Sequence, residues 1–251
     1  GALMMDGTNT GAMTPAALLR AELSLRDPFA DFTPDPSRVD MQGWNSNHQY
    51  FDATLNAVQP KIIVELGVWK GMSSLHMAAC NKAAGRDCAI LAIDTWLGSS
   101  AHIAEPSRRT ELCEKSGYPT LYETFLNNVF SAGHQDVITP LPLDGASAAS
   151  GLARTGFKAD VIHIDASHEY LAALTDFRAF WPILADDGVL IVDDYAGWIG
   201  VTRAANEFAA EVNRPIFASN AKAVIPKDPN MVAETRIRRF RRLRRTFESD
   251  L

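Results

Sequence analysis

Two short acidic segments carry the chemistry that this chain could perform. Asp165-Ala-Ser-His168 follows the apolar run Val161-Ile-His-Ile164, and Asp193-Asp194 follows Val189-Leu-Ile-Val192. Both runs read as buried strands. Neighbouring parallel strands of an open sheet end on one rim, where such sheets bind ligands. Three carboxylates on one rim repel each other unless something positive lies between them. A hard divalent cation with oxygen ligands, Mg²⁺ or another, meets that need, so Asp165, Asp193 and Asp194 are candidate metal ligands. His168 follows Asp165 by three residues and has the intrinsic pKa of a general base near neutrality. The plainer reading is a solvated strand end with helix-capping residues, His168 among them.

A second group lies earlier. The apolar run from Ile62 ends in Glu65-Leu-Gly67-Val-Trp69-Lys-Gly71-Met-Ser73. Its glycines permit a tight turn and a close approach of backbone to ligand, and the helix that follows offers free N–H groups. The spacing E-x-G-x-x-x-G departs from the G-x-G-x-x-G of dinucleotide sites. An acid at the strand end suits a ligand with an ammonium group, unlike a pyrophosphate. S-adenosylmethionine has that ammonium, a carboxylate for Ser73 and the helix N-terminus, and a ribose. Asp94, ending the next strand, is placed to accept the ribose hydroxyls. Trp69 and Trp96 are packing residues or stack on the sulfonium and adenine; the sequence leaves both open. His163, inside its strand, reads as a satisfied core or interface histidine, and Asp176 as a surface or turn acid.

Glu65-Leu-Gly-Val-Trp-Lys-Gly-Met-Ser73 resembles the first motif of class I methyltransferases, especially the metal-dependent catechol-type O-methyltransferases. The resemblance implies that Ser73 holds the methionine carboxylate and Asp94, with Thr95 and Trp96 beside it, the ribose. It implies that Gly145-Ala146-Ser147 lines the adenine, with Asp165 also near the cofactor. Asp165, Asp193 and Asp194 fall on the family's Mg²⁺ positions. His168 stands where the catechol enzymes carry a lysine, as in the metal-dependent sugar O-methyltransferases of macrolide biosynthesis. Gln42-Gly-Trp-Asn-Ser-Asn-His48 is similar to bacterial members of the same broad group. The resemblance covers roughly residues 41 to 195.

These residues need a scaffold. Apolar runs at 61–66, 89–94, 136–142, 160–165 and 188–193 alternate with helical patterns at 72–84, 119–131, 146–154, 169–184 and 199–211. That alternation indicates a parallel sheet covered on both faces. Two apolar runs within 215–226, joined by Ser-Asn, read as a hairpin. The expected fold is α/β and doubly wound: a Rossmann-like methyltransferase sheet, mostly parallel and seven-stranded, with a C-terminal antiparallel hairpin. Helices are expected at 15–26 and 48–58. The stretch 27–40 carries Pro28, Pro34 and Pro36 and reads as a connector. Residues 95–118 are long for such a loop and sit over the same rim, as a substrate-covering lid would. Three units follow: an N-terminal extension, 1–40; the S-adenosylmethionine-binding domain, 41–228; and an Arg-rich C-terminal helix, 229–251.

The 251 residues suit one such domain with appendages. Cys80, Cys88 and Cys113 form no paired framework, which points to a reducing, cytoplasmic setting. No apolar run reaches the ~18 residues of a membrane span. Net charge is -6 although residues 236–245 carry seven arginines. Ile237, Phe240, Leu243 and Phe247 recur there at helical spacing, so the run reads as an amphipathic helix on an acidic body or partner subunit rather than a nucleic-acid arm. A homo-oligomer is expected on that ground. The function read from the sequence is an S-adenosylmethionine- and divalent-metal-dependent O-methyltransferase. Its acceptor would be a small-molecule hydroxyl, on a sugar or glycosylated natural product. The alternatives are a metal-independent methyltransferase of this fold acting on a phenol or amine, and a non-catalytic S-adenosylmethionine-binding protein.

Overall fold

The computed structural model describes residues 12–219 and 221–232. Its sheet is built from β1 (Ile62–Leu66), β2 (Ala89–Asp94), β3 (Ile138–Pro142), β4 (Ala159–Ile164), β5 (Leu184–Asp193), β6 (Phe217–Ala218) and β7 (Lys222–Pro226). The helices are α1 (Pro15–Leu23), α2 (Gln49–Val58), α3 (Met72–Ala83), α4 (Ala101–Ala104), α5 (Leu121–Ser131), α6 (Gly145–Arg154), α7 (Tyr170–Phe180) and α8 (Ile199–Glu211). Strand order is β3-β2-β1-β4-β5-β7-β6. The first five strands are parallel, and β7 runs antiparallel to both β5 and β6. This is the expected seven-stranded sheet with a terminal hairpin.

The strands are apolar on both sides because helices cover both faces. Phe51, Leu55, Met77 and Phe125 from α2, α3 and α5 close one face over Ile63, Ile90 and Val161. Leu152, Phe177 and Phe208 from α6, α7 and α8, with Leu19 of α1, close the other over Val64, Leu91 and Ile162. From β1 the order runs outward to β2 and β3 one way and to β4 and β5 the other. The crevice of such a sheet opens where the order reverses, at the carboxyl ends of β1 and β4.

Several boundaries differ from the sequence reading. The first helix stops at Leu23, not 26, because Ser24 turns left-handed (φ 55°) and its N–H donates to Ala21 and Arg20. The helix expected to reach 184 ends at Phe180, and Trp181–Ile183 tighten into a 3₁₀ turn. Pro182 has no N–H for the α-helical ladder, so the change falls there. β5 starts at Leu184 and regains its register with β4 only after an irregularity between Ala159 and Val161. The 95–118 segment holds α4 and a 3₁₀ run, Pro106–Leu112. Of the expected C-terminal helix, Pro229–Val232 form a 3₁₀ turn, and the rest lies outside the described residues, as do residues 1–11. No helix among the described residues is long and apolar enough to cross a membrane.

Candidate active site

The turn after β1 is drawn tight by Asp94. One oxygen of its carboxylate accepts from the N–H groups of Val68 and Trp69 at 2.8 and 2.9 Å, and the other from Trp96 at 2.8 Å. Asp94 thereby joins the loops after β1 and β2. Gly67 turns at φ 83° and Trp69 at φ 54°. A Cβ on Gly67 would meet the backbone of Asp165, so only glycine fits. Gly71 (φ 94°) caps α3 with no side-chain hydrogen bond. The first-turn N–H groups of α3, that of Ser73 among them, have no preceding helical carbonyl to bond, and such helix ends suit a carboxylate. Trp69 lies between Trp44 and His102, at centroid distances of 6.3 and 5.4 Å. Its indole Nε1 is buried without a hydrogen-bond partner in the protein.

On the far side of the crevice, Gly145, Ala146 and Ser147 open α6. Its N-terminus is capped by Asp144, which accepts from the Ser147 N–H at 2.9 Å. Hydrogen bonds from Ser147 hold the Asp144 carboxyl below its ordinary value. Asp176 of α7 comes close to this end: its Oδ1 would stand 3.2 Å from a Cβ on Gly145. Burial lifts its carboxyl to about 6. It is a half-buried acid within α7, behind the α6 turn, not the surface or turn acid that the sequence suggests.

At the ends of β4 and β5, donor atoms of Asp165, His168 and Asp194 all lie within 4.8 Å of one another. His168 Nε2 is 2.8 Å from Asp194 Oδ2, and the His168 ring is stacked on Trp198 at 4.4 Å and 10°. Asp194 raises the imidazole pKa of His168 through this hydrogen bond. Burial, followed by the charges of Asp193 and Asp194, pushes the Asp165 carboxyl well above its ordinary value. A cation between Asp165 and Asp194 would relieve that repulsion, so this donor set fits one. Asp194 (φ 58°) and Ala196 (φ 64°) are left-handed, as are Trp69 and Trp96, so strained backbone gathers on this rim.

Asp193 departs from the expected ligand set. It is 4% exposed and turns into the sheet. Its Oδ2 takes His163 Nε2 at 3.0 Å and a short bond from Lys222 Nζ, and its Oδ1 accepts from the Asp194 N–H at 2.8 Å. Burial alone would raise this carboxyl; His163 and Lys222 override it and hold it well below the ordinary range. On the other ring nitrogen, His163 Nδ1 is 3.0 Å from Glu65 Oε1, and Ser74 Oγ donates to Glu65 Oε2. Burial would depress the His163 pKa, but Asp193 and Glu65 together raise it.

The structure therefore brings Gly67, Trp69, Gly71, Ser73, Asp94, Asp165, His168 and Asp194 to one crevice, with Gly145–Ser147 on its flank. Thr95 is exposed, its Oγ1 accepting from the Leu97 N–H at 3.2 Å. Trp96 is a core residue, 2% exposed, with Nε1 on the Trp69 carbonyl at 2.8 Å and its ring against Phe125. Glu65 is 1% exposed and bonded to Ser74 and His163, so an ammonium contact there meets a carboxylate already engaged. His163 is the satisfied core histidine that the sequence implied. The sequence reading missed Lys222, Trp198 and Asp176. A lone lysine inside the apolar run Ala221–Pro226 was the available signal for the first.

A methyltransferase-domain family model matches residues 64–195. No curated protein matches the sequence. Among solved structures, the O-methyltransferase NovP is similar at 17% identity and a TM-score of 0.55, over 73% of this chain and 80% of NovP. The calicheamicin methyltransferase CalS11 is similar at 18% identity and a TM-score of 0.52, over 71% of this chain and 77% of its own. The O-methyltransferase TomG from Streptomyces achromogenes, involved in tomaymycin synthesis and solved with SAM, shares 14% identity at a TM-score of 0.50. That match spans 85% of this chain and 87% of TomG. At these identities the likeness is one of fold.

Proposed function

The chain belongs to the methyltransferase-domain family, and from that premise we propose that it moves a methyl group from S-adenosylmethionine to a hydroxyl of a small molecule. We further propose that the acceptor is a sugar or glycosylated natural product. The observation that carries this reading is the convergence of Asp165, His168 and Asp194 beside the Gly67 turn. The kinship in fold with NovP and CalS11 agrees with it.

The donor's carboxylate would lie at Ser73 and the open first turn of α3, its ribose at Asp94, and its adenine along Gly145–Ser147. The unpartnered Trp69 Nε1 and the uncapped α3 fit a polar ligand in that crevice. Glu65 serves there as a positioning residue, holding Ser74 and His163 beneath the turn.

Methyl transfer breaks a sulfur–carbon bond and forms an oxygen–carbon bond, so the acceptor must give up its proton. With Nε2 bonded to Asp194, His168 has Nδ1 as its free ring nitrogen, and that atom would take the proton. Asp194 fixes the tautomer and orientation, as the carboxylate does in other acid–imidazole pairs. General base help of this kind contributes typically ~10²–10⁴-fold. A divalent cation such as Mg²⁺, held by Asp165 and Asp194, would lower the acceptor's pKa and orient a vicinal diol. Trp198, stacked on His168 and 49% exposed, offers a flat wall for the acceptor ring.

One observation favours a metal-independent version. Lys222 already neutralises Asp193, which leaves two rim carboxylates in place of three. The test of both readings is one assay. The protein is incubated with S-adenosylmethionine and a panel of sugars, glycosides and phenols, with and without EDTA. Mass spectrometry follows the methylated product and S-adenosylhomocysteine. Product lost in EDTA supports the cation, product kept in EDTA supports the metal-independent form, and no product with any acceptor counts against the reading as a whole.

A further inference from the structure

Away from the rim, a second group of unlike donor atoms meets between α2 and α3. Asp52 stands in the first turn of α2, and His76 and Cys80 stand four residues apart on α3. Residues i and i+4 share a helix face, the spacing by which paired helical ligands grip one ion. Asp52 Oδ1 is 2.8 Å from His76 Nε2 and 3.1 Å from Cys80 Sγ, and Cys80 Sγ is 3.4 Å from His76 Nε2. Three donors thus surround a single point. The Asp52 side chain is 54% exposed and that of His76 23%, so the point is reachable from solvent.

We propose that Asp52, His76 and Cys80 form a second metal site, one that takes a borderline divalent cation such as Zn²⁺ and pins α2 to α3. Zinc bonds to sulfur, nitrogen and oxygen of about 2.0–2.3 Å at tetrahedral angles separate the donors by roughly 3.3–3.6 Å. The three pairs need only spread by a few tenths of an ångström to reach that. The donor set also selects the metal. Thiolate and imidazole favour Zn²⁺ and its softer neighbours, whereas Mg²⁺ takes oxygen. The fourth position is left for water.

A nucleophilic Cys–His–Asp arrangement is the rival use of these residues. It fails on geometry. Asp52 touches the thiol as well as the imidazole, so the histidine does not stand between acid and nucleophile as a base must.

The test uses the full chain, freed of metal, with its thiols reduced. Co²⁺ is titrated in, and the sulfur-to-cobalt charge-transfer band in the near ultraviolet is read with the visible bands of tetrahedral cobalt. The expected result is one equivalent bound with both signatures, displaced by Zn²⁺. Cys80→Ser should lose the charge-transfer band. Outer-shell partners alone are worth about 10–100-fold in metal affinity, so Asp52→Asn and His76→Gln, which remove ligands, should each weaken binding at least tenfold. Asp194→Asn should keep the band, which separates this site from the rim. Zn²⁺ should raise the melting temperature of the parent and not of Cys80→Ser. The proposal is overturned if the folded parent shows no charge-transfer band. A band that survives Cys80→Ser, as Cys113 would give, or one that vanishes in Asp194→Asn, also overturns it.

Discussion

Gly67 packs against Asp165 so closely that a Cβ on the glycine would fall 1.9 Å from the aspartate's carbonyl oxygen. The neighbouring Asp165 N–H donates to the Leu66 carbonyl at 2.8 Å, so the two strand ends are bound together at this point. The proposed donor side of the crevice, after β1, and the proposed acceptor side, after β4, therefore meet through one glycine.

Gly67→Ala should damage both. A left-handed backbone costs a non-glycine residue about 1–2 kcal/mol, and the clash with backbone adds to that. Chemical denaturation should show the loss of stability, and calorimetry with S-adenosylhomocysteine a weaker affinity. Unchanged values in both would contradict the close packing.

Asp94→Ala removes the acceptor of three backbone N–H groups as well as the proposed ribose contact. Unsatisfied donors cost about 1–3 kcal/mol each where water cannot reach them. A loss of stability near 2 kcal/mol, with at least tenfold weaker donor binding, is the expected outcome by the same reasoning. Calorimetry that finds parental affinity would remove Asp94 from the donor site.

The fold was legible because its strands are short apolar runs between helical patterns, as at Ile62–Leu66 and Ala89–Asp94. Gly67 and Asp94 were legible because a turn and a strand-end acid are local features. The facing of Asp193 was not. Successive side chains leave a strand on opposite sides. Asp193 still belongs to β5, in register with Lys222 of β7, while Asp194 has already turned left-handed toward the rim. That distinction depends on a partner strand nearly thirty residues on, which no local pattern reports. The end of α7 at Phe180 is a local feature, since Pro182 marks it in the sequence, and the expected range 169–184 runs past that mark.

Lys222→Met should destabilise the fold. Lys222 is fully buried against Asp193, with its Nζ also 4.6 Å from the Phe51 ring centre. Removing one partner of a buried pair costs about 3–5 kcal/mol because the other charge is stranded. His163 remains on Asp193, which places the loss at the lower end. Urea titration is the measurement, and a loss below about 1 kcal/mol would show that His163 alone satisfies the acid.

Asp176 gives a pH signature. Burial raises its folded pKa to about 6, above its ordinary value of 3.8. The folded state then holds a proton that the unfolded state releases, so the residue's penalty appears as pH rises through that interval and is complete above it. Asp176→Asn should melt higher than the parent near neutrality, and the gap should close below the ordinary carboxylate range. A gap independent of pH would show that the carboxyl titrates normally.

The two adjacent acids at the end of β5 should fail in opposite ways. Asp194 touches His168 at 2.8 Å on the rim, so Asp194→Asn should leave stability and donor binding near the parent while turnover falls. His168→Gln should do the same, with a loss of ~10²–10⁴ in kcat if the imidazole is the base. Asp193 is bonded to His163 and Lys222 within the sheet, so Asp193→Asn should lower the denaturation midpoint first and activity only as a consequence. Any rim cation should be lost in Asp165→Asn and Asp194→Asn, and the EDTA response should vanish with it. The decisive comparison is kcat, denaturation midpoint and EDTA sensitivity across these variants with one acceptor. If Asp193→Asn keeps full stability but loses the EDTA response, Asp193 is a metal ligand after all, and Lys222 must then move aside to release it.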